Sequence, residues 1–164
     1  MIAPEKGNLI YLYTNPLVYA VERDPAGAEP LRALLRALRE RRGVAVTSEL
    51  TLGEIMVRPV KLGNHKLKRA YLELLVWSKV IELVPISRQI LYDSADYRAV
   101  AHPDTPDAKQ DRRNFFPDGI HVMTAAARRC RYFVSRDDRI KLPLDMALVL
   151  PEHESVKGLI EALS

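Results

Sequence analysis

The chain has few of the features that mark secreted, membrane-bound or disulfide-stabilised proteins. Cys130 is the only cysteine among 164 residues, which excludes an internal disulfide and is typical of a reducing compartment. No apolar run approaches the roughly 20 residues that a membrane span needs. Residues 1–7 lack the basic start and apolar core of a secretory signal. We therefore expect a cytoplasmic protein with no membrane partner.

The motifs of several common enzyme classes are also missing. The sequence has no Gly-x-x-x-x-Gly-Lys phosphate loop, no Gly-x-Gly-x-x-Gly dinucleotide fingerprint and no Gly-x-Ser-x-Gly nucleophile elbow. Its histidines do not have the spacing of zinc ligands. The sequence therefore gives no support to a P-loop nucleotidase, a dinucleotide-dependent enzyme, a serine hydrolase or a zinc protein.

Basic residues are present in slight excess. Lysines and arginines number 25 against 21 acidic residues, for a formal net charge of +4. They are concentrated in the segments 32–42, 61–69 and 128–131. Such clusters either contact nucleic-acid phosphates or form solvated helix faces, and the sequence leaves both interpretations open.

Apolar strand patterns alternate with helical patterns along the chain. We predict strands at 8–13, 44–47, 80–84, 132–134 and 147–150. We predict helices at 14–22, through 31–38 up to Gly43, and at 48–57, 65–78, 87–100, 118–129 and 154–163. Pro59 is expected to end the third helix, and residues 102–117, with three prolines, to form a loop. This alternation predicts an α/β fold with a mainly parallel sheet, in a single domain spanning 1–164.

Three acidic residues lie close to predicted strand ends or helix starts, where active sites of open α/β sheets are found. Glu54 follows the second strand, Asp118 starts a helix and Asp137 follows the fourth strand. Mg²⁺ and Mn²⁺ prefer carboxylate oxygens, so these acids are candidate ligands of a divalent ion.

Each acid also has a purely structural interpretation. Thr51 and Glu54 have the spacing of a capping box. Asp118 could be a helix N-cap, and Asp137 could belong to the turn after a strand. His121, in the same segment as Asp118, is expected to pack against the sheet.

The order and context of these segments resemble the PIN domain, the nuclease fold of VapC-like toxins. The resemblance rests on Thr14-Asn15 after the first strand, the Thr-Leu-x-Glu run that ends at Glu54, the Pro-Asp-x-Ile-His-x-x-Thr-Ala run around Asp118, and Ser135-x-Asp137. It covers residues 9–150 and implies a three-layer α/β/α fold with a mainly parallel central sheet.

The resemblance also implies a function. VapC-like toxins are Mg²⁺- or Mn²⁺-dependent endoribonucleases, so we expect a hydrolase that acts on RNA, forms a homodimer and is neutralised by a small antitoxin. Glu54, Asp118 and Asp137 would hold the metal, and the neighbouring Asp138 could assist. Asn15 and Ser135 would orient ligands or substrate.

Two departures from the family pattern leave alternatives open. Tyr13 stands where the family has its first aspartate, and a phenol is neutral at pH 7 and a poor ligand for magnesium. The protein could then be a degenerate PIN domain that only binds RNA or a protein. Alternatively, Tyr13 could be a core residue, or Glu49 or Asp138 could replace the missing acid.

The second departure is the length of the segment 102–117. This segment could cover the site, contact RNA through Arg112 and Arg113, or be a mobile loop.

Overall fold

A five-stranded, all-parallel sheet forms the centre of the molecule. The structure is a computed structural model that describes residues 8–163, so the expectation about the first seven residues lies outside it. The strands are β1 (Ile10–Leu12), β2 (Ala45–Ser48), β3 (Ile81–Val84), β4 (Tyr132–Val134) and β5 (Ala147–Val149). Their order is β3-β2-β1-β4-β5, and every pairing is parallel. The predicted α/β class is therefore confirmed.

Helices cover both faces of this sheet. They are α1 (Thr14–Glu22), α2 (Pro25–Glu40), α3 (Glu49–Lys61), α4 (His65–Leu72), α5 (Arg88–Ala101), α6 (Ala108–Asn114), α7 (Phe116–Ala127) and α8 (His153–Ala162). A π-helical turn, Glu73–Trp77, continues α4. Within residues 8–163, no helix is both long enough and apolar enough to cross a bilayer.

Two separate apolar clusters lie on opposite faces of the sheet, because side chains alternate along a strand. Ile10 and Leu12 of β1 belong to the first cluster, with buried residues of α1 to α4 and α8. Tyr11, between them, belongs to the second cluster, with buried residues of α5 and α7. The fold is the expected three-layer α/β/α arrangement.

Short polar side chains begin several of the helices by accepting a hydrogen bond from a free backbone N–H. Ser87 caps α5 in this way, as predicted, by accepting from the backbone N–H of Ile90. At α3 the cap is Ser48, which accepts from the N–H of Leu50. The capping-box interpretation of Thr51 and Glu54 is therefore wrong, because both residues lie inside α3.

The predicted end of the third helix is wrong. Pro59 does not end α3, which continues to Lys61. The proline is buried within the last turn of the helix, so its missing N–H costs a single hydrogen bond while its ring packs inside.

Residues 102–117 are not a loop throughout, because Asp107 caps the short helix α6 inside this segment. α7 then begins at Phe116, so Asp118 lies in the first turn of that helix and is not its N-cap.

Candidate functional site

The site lies where the carboxyl ends of β1 and β4 meet. β1 is the central strand, and the chain runs outward from it to β2 and β3 before it returns to β4 on the other side. The crevice at such a topological switch point is the usual ligand site of an open α/β sheet. The segment 13–15 follows β1, the segment 135–139 follows β4, and the first turn of α7 lies beside them.

Tyr13 faces this crevice from the end of β1. Its backbone N–H donates to the carbonyl of Val134 at 3.0 Å, which fixes the residue against β4. Its ring lies edge-on to His121 at 4.6 Å and packs with the second apolar cluster. Its hydroxyl donates to Oδ1 of Asp118 at 2.5 Å. Tyr13 is thus a half-buried packing residue and also a hydrogen-bond partner of a predicted site acid.

The phenol of Tyr13 is held in its neutral form. Burial raises the pKa of Tyr13 well above its ordinary value, and the adjacent Asp118 carboxyl raises it further. A neutral phenol donates one hydrogen bond and offers a metal ion no negative charge.

Glu54 reaches the site from α3 and accepts hydrogen bonds from two side chains. Its Oε2 accepts from the Thr14 hydroxyl and lies 3.0 Å from Nε2 of His121. Burial acts to raise the pKa of Glu54, but the hydrogen bonds from His121 and Thr14 outweigh burial and lower it. The side chain is therefore held as a carboxylate.

His121 is fully buried and links Glu54 to the strand layer. Its Nδ1 lies 2.6 Å from the hydroxyl of Tyr11, and that hydroxyl accepts the backbone N–H of Ser48 at 3.0 Å. An ionised carboxylate has no proton to donate, so Nε2 carries the hydrogen of the bond between His121 and Glu54. The expectation that His121 packs against the sheet is met, but the ring also orients a site acid.

Asp118 has the opposite electrostatic environment. Burial raises its pKa, and the nearby negative charges of Asp137 and Glu54 raise it further. The hydrogen bond from Tyr13 acts against this rise without cancelling it. Asp118 and Glu54 bind Tyr13 and His121, whose rings are in contact, and Asp118 and Asp137 line one cleft, so the fold brings the three predicted acids to one region.

Asp137 is paired with an arginine two residues along the chain. Its Oδ1 and Oδ2 accept from Nε and an Nη of Arg139 at 2.9 and 3.1 Å. These hydrogen bonds lower the pKa of Asp137. Ser135 is buried and its Oγ accepts the N–H of Asp137 at 3.0 Å, whereas the neighbouring Asp138 is exposed.

Asn15 connects the two sides of the crevice. Its Oδ1 accepts the backbone N–H of Arg136 at 3.0 Å, so α1 holds the turn that follows β4. The roles predicted for Asn15 and Ser135 in orienting a ligand stay predictions.

A cleft of about 580 Å³ opens beside these acids. Asp118 and Asp137 line it, together with Arg113 from the end of α6 and Arg139. Arg112 is exposed and its Nε donates to the carbonyl of Ala108 at 3.4 Å, away from the residues that line the cleft. Of the two arginines predicted to contact RNA, only Arg113 lies on this cleft.

The acids do not form a site for a divalent ion in this arrangement. Asp118 accepts from Tyr13, Glu54 from Thr14 and His121, and Asp137 from Arg139. Protein donors therefore occupy Oδ1 of Asp118, Oε2 of Glu54 and both carboxylate oxygens of Asp137. Within residues 8–163, no group of three or more Asp, Glu, His or Cys side chains is arranged to hold one ion. The side chains present do not fit such a cofactor without rearrangement.

Sequence patterns missed two residues that support the acids, Tyr11 through its contact with His121 and Arg139 through its contact with Asp137. Tyr11 was part of an apolar strand pattern, and Arg139 was one charged residue in a polar turn. Their positions give no local signal, because each role depends on the partner that the fold supplies.

Comparison with known proteins agrees with this architecture. The PIN domain family profile matches residues 10–142. No curated protein and no solved structure matches the chain. Because the matched region is most of the sequence, the chain belongs to the PIN domain family, a family of nuclease-type folds whose members are generally dependent on divalent metals.

Proposed function

We propose that this member of the PIN domain family holds RNA at the carboxyl edge of its sheet but, with Tyr13 in the chain, does not cut it. The supporting observation is the 2.5 Å hydrogen bond from the Tyr13 hydroxyl to Asp118. On this proposal, the neutral phenol of Tyr13 stands in the place of the family's first aspartate, and it takes up one oxygen of Asp118. The site thus loses one negative charge and one free ligand atom.

The charge of the cleft supports an RNA ligand. Three basic side chains line it, from Arg113, Arg139 and Lys141, against the two acids Asp118 and Asp137. Contacts from arginine and lysine to phosphates provide most of the affinity of proteins for nucleic acids. A net positive cleft at the family's active-site position favours retention of a polyanion.

The finer assignment within the family is to VapC-like toxins, whose motifs the segments around Glu54 and Asp118 resemble. On this proposal the protein derives from the Mg²⁺- or Mn²⁺-dependent endoribonucleases of toxin–antitoxin systems. It keeps their cytoplasmic location, homodimer and small antitoxin partner, and it has lost their cleavage step.

The test compares the natural chain with Tyr13→Asp and Tyr13→Phe on end-labelled RNA, with Mn²⁺, with Mg²⁺ and with EDTA. We expect the natural chain to retain RNA in a gel-shift assay under all three conditions and to leave it intact. We expect Tyr13→Asp to cleave RNA only with metal, because the new carboxylate restores a ligand and releases Asp118. Tyr13→Phe removes the hydroxyl but adds no acid, so it should stay inactive.

The double variant Tyr13→Asp/Asp118→Asn, purified in the same way, controls for contaminating ribonucleases and should be inactive. Metal-dependent cleavage by the natural chain, abolished by EDTA, would refute the proposal and show that another acid completes the site. If the natural chain retains no RNA, the proposal that the protein binds RNA is refuted.

A further inference from the structure

The segment 102–117 forms one wall of the cleft beside the acids. His102, Arg113 and Phe115 from this segment line the cleft, and Arg139 and Lys141 line it as well. The volume of about 580 Å³ lies within the usual range of small-molecule sites. It is far too small for a double helix, so an extended or unpaired ligand has to enter it.

Aromatic rings in this wall are already arranged as a stack. The rings of His102 and Phe115 lie 3.7 Å apart with an interplanar angle of 14°, and both residues are partly exposed. Tyr97 meets His102 edge-on at 6.4 Å. Flat π-faces at the margin of a cleft are suited to stacking of a nucleobase, and such stacking is tolerant of base identity.

The basic side chains around the cleft differ in whether they have a hydrogen-bond or ion-pair partner in the described part of the chain. Arg139 is paired with Asp137, and Nζ of Lys141 donates to the carbonyl of Ala101 at 2.5 Å. Arg113 is exposed, and its side chain makes no hydrogen bond or ion pair with another described residue. Its guanidinium is therefore free to donate hydrogen bonds to a phosphate.

The helix that presents Arg113 is held in place. The ion pair between Arg98 and Asp111, at 3.2 Å, fixes α6 to α5, and both side chains are largely buried. The guanidinium of Arg98 also lies over the ring of Phe116, 4.8 Å from its centroid. A rigid α6 reduces the entropy that a bound ligand would otherwise lose in ordering the wall.

We propose that this cleft binds one unpaired nucleotide of an RNA strand, with the base against the His102–Phe115 stack and a phosphate at Arg113. The inference rests on the proposed function and specifies its ligand. A cation next to stacked rings matches an unpaired nucleotide better than it matches an acidic peptide, because every nucleotide joins a flat base to a phosphate, whereas a carboxylate side chain has no ring. Arg113, His102 and Phe115 thereby become the residues that select single-stranded RNA at this site.

The test measures binding of a fluorescein-labelled ten-nucleotide oligoadenylate and of a duplex of equal length, by anisotropy in EDTA over a salt series. Arg113→Gln should weaken oligoadenylate binding and reduce the slope of log affinity against log salt by about 0.7, the loss of one phosphate contact. Arg112→Gln is the matched control, because it removes the same charge one residue away and off the cleft. It should leave affinity and slope close to those of the natural chain.

Variants of Phe115 test whether a base stacks on the His102–Phe115 pair. Phe115→Leu should weaken oligoadenylate binding roughly 5- to 100-fold without changing the salt slope, because stacking is apolar and a ring is lost. Phe115→Trp, which keeps a ring, should bind about as well as the natural chain, and a thermal melt of each variant reports whether the fold is intact.

The outcomes distinguish a failure of the cleft proposal from a failure of the proposed RNA-binding function. If the Arg113 and Arg112 variants behave alike and Phe115→Leu binds normally, the cleft is not the RNA site, although RNA retention by the protein would still stand. If the duplex binds the natural chain as tightly as oligoadenylate does, selection of an unpaired nucleotide is refuted. If the natural chain binds neither RNA, the proposed function itself fails.

Discussion

Glu54 and Asp118 belong to one site but experience opposite electrostatic environments. Hydrogen bonds from His121 and Thr14 lower the pKa of Glu54 in spite of its burial. Burial and neighbouring negative charges raise the pKa of Asp118. A carboxyl group whose pKa falls on folding stabilises the native state when it is ionised, and one whose pKa rises destabilises the native state when it is ionised.

We predict opposite effects of neutralising these two acids on the free energy of unfolding. The pKa of Asp118 is raised on folding, so its contribution to stability is present below the ordinary Asp value and is lost as pH rises through the folded value. Asp118→Asn should therefore be more stable than the natural chain at pH 7, by about 1 kcal/mol, or roughly 2–4 °C in Tm. The new amide oxygen can still accept from Tyr13.

Glu54→Gln should be less stable than the natural chain at pH 7, by about 1–2 kcal/mol, because charge-assisted hydrogen bonds are lost. The pKa of Glu54 is lowered on folding, so its stabilisation is present above the ordinary Glu value and is lost as pH falls through the folded value. Urea unfolding at a series of pH values measures both variants. If both variants changed the free energy of unfolding at pH 7 in the same direction and by the same amount, the opposite electrostatic environments of Asp118 and Glu54 would be refuted.

At the scale of secondary-structure elements, the packing of α7 against α5 positions Asp118. Gly119 follows Asp118 in the first turn of α7, at the contact between these helices. A Cβ at this position would lie 3.1 Å from the backbone oxygen of Ser94 and 3.1 Å from Cγ of Arg98. The glycine is thus the residue that lets the start of α7 approach α5 closely.

We predict that Gly119→Ala destabilises the protein by about 1–2 kcal/mol, because the added methyl group pushes against a backbone atom that cannot move freely. Gly53→Ala is the matched control, since Gly53 lies inside α3 with open space around its missing side chain. That variant should gain about 0.5–1 kcal/mol from helix propensity alone. Thermal melts of both variants measure the difference, and a stabilising Gly119→Ala would show that the helix contact is looser than the structure indicates.

The segment 102–117 shows how an element can be hidden in a polar sequence. Three prolines and many charges favour a loop, yet Asp107 caps α6 by accepting the N–H of Lys109 at 2.8 Å. The helix has only seven residues and no buried one, so its own propensity is too weak to predict it. Its ion pair with α5, between Asp111 and Arg98, supplies the missing stabilisation.

At the scale of the whole molecule, the two apolar clusters share one thin sheet. Each central strand contributes alternate residues to both clusters, as Ile10 and Tyr11 do in β1. One cluster cannot be exposed to solvent without removing the support of the other. The single domain predicted from chain length is thus expected to unfold as one cooperative unit.

We predict coincident urea transitions for the fluorescence of Trp77 and for the far-ultraviolet circular dichroism. Trp77 is the only tryptophan and lies half-exposed in the π-helical turn after α4, whereas circular dichroism reports on all helices. The free energy of unfolding should be about 5–15 kcal/mol for both signals. An earlier transition of Trp77 alone would mean that the segment 65–77 unfolds independently.

Local patterns in the sequence were sufficient to predict most of the fold. The five strands lie within a few residues of their predicted bounds, because buried parallel strands are short apolar runs flanked by helices. The same patterns predicted that Glu54, Asp118 and Asp137 lie at one edge of the sheet, since strand ends and helix starts of a parallel sheet meet there, and their function at that edge stays a prediction. The errors at Pro59 and α6 arose where packing outweighed local preference.

The amino-acid sequence alone thus determined the fold class and the family, because these depend on the order of local patterns, whereas the roles of the three acids stay predictions. It did not determine which donor meets which acid. Tyr13 and Asp118 are 105 positions apart, and Glu54 and His121 are 67 apart. Such contacts depend on strand register and on the rotation of α3 and α7 against the sheet, and both are fixed only when the whole core packs. The tertiary structure therefore established that the hydroxyl of Tyr13 is hydrogen-bonded to Asp118.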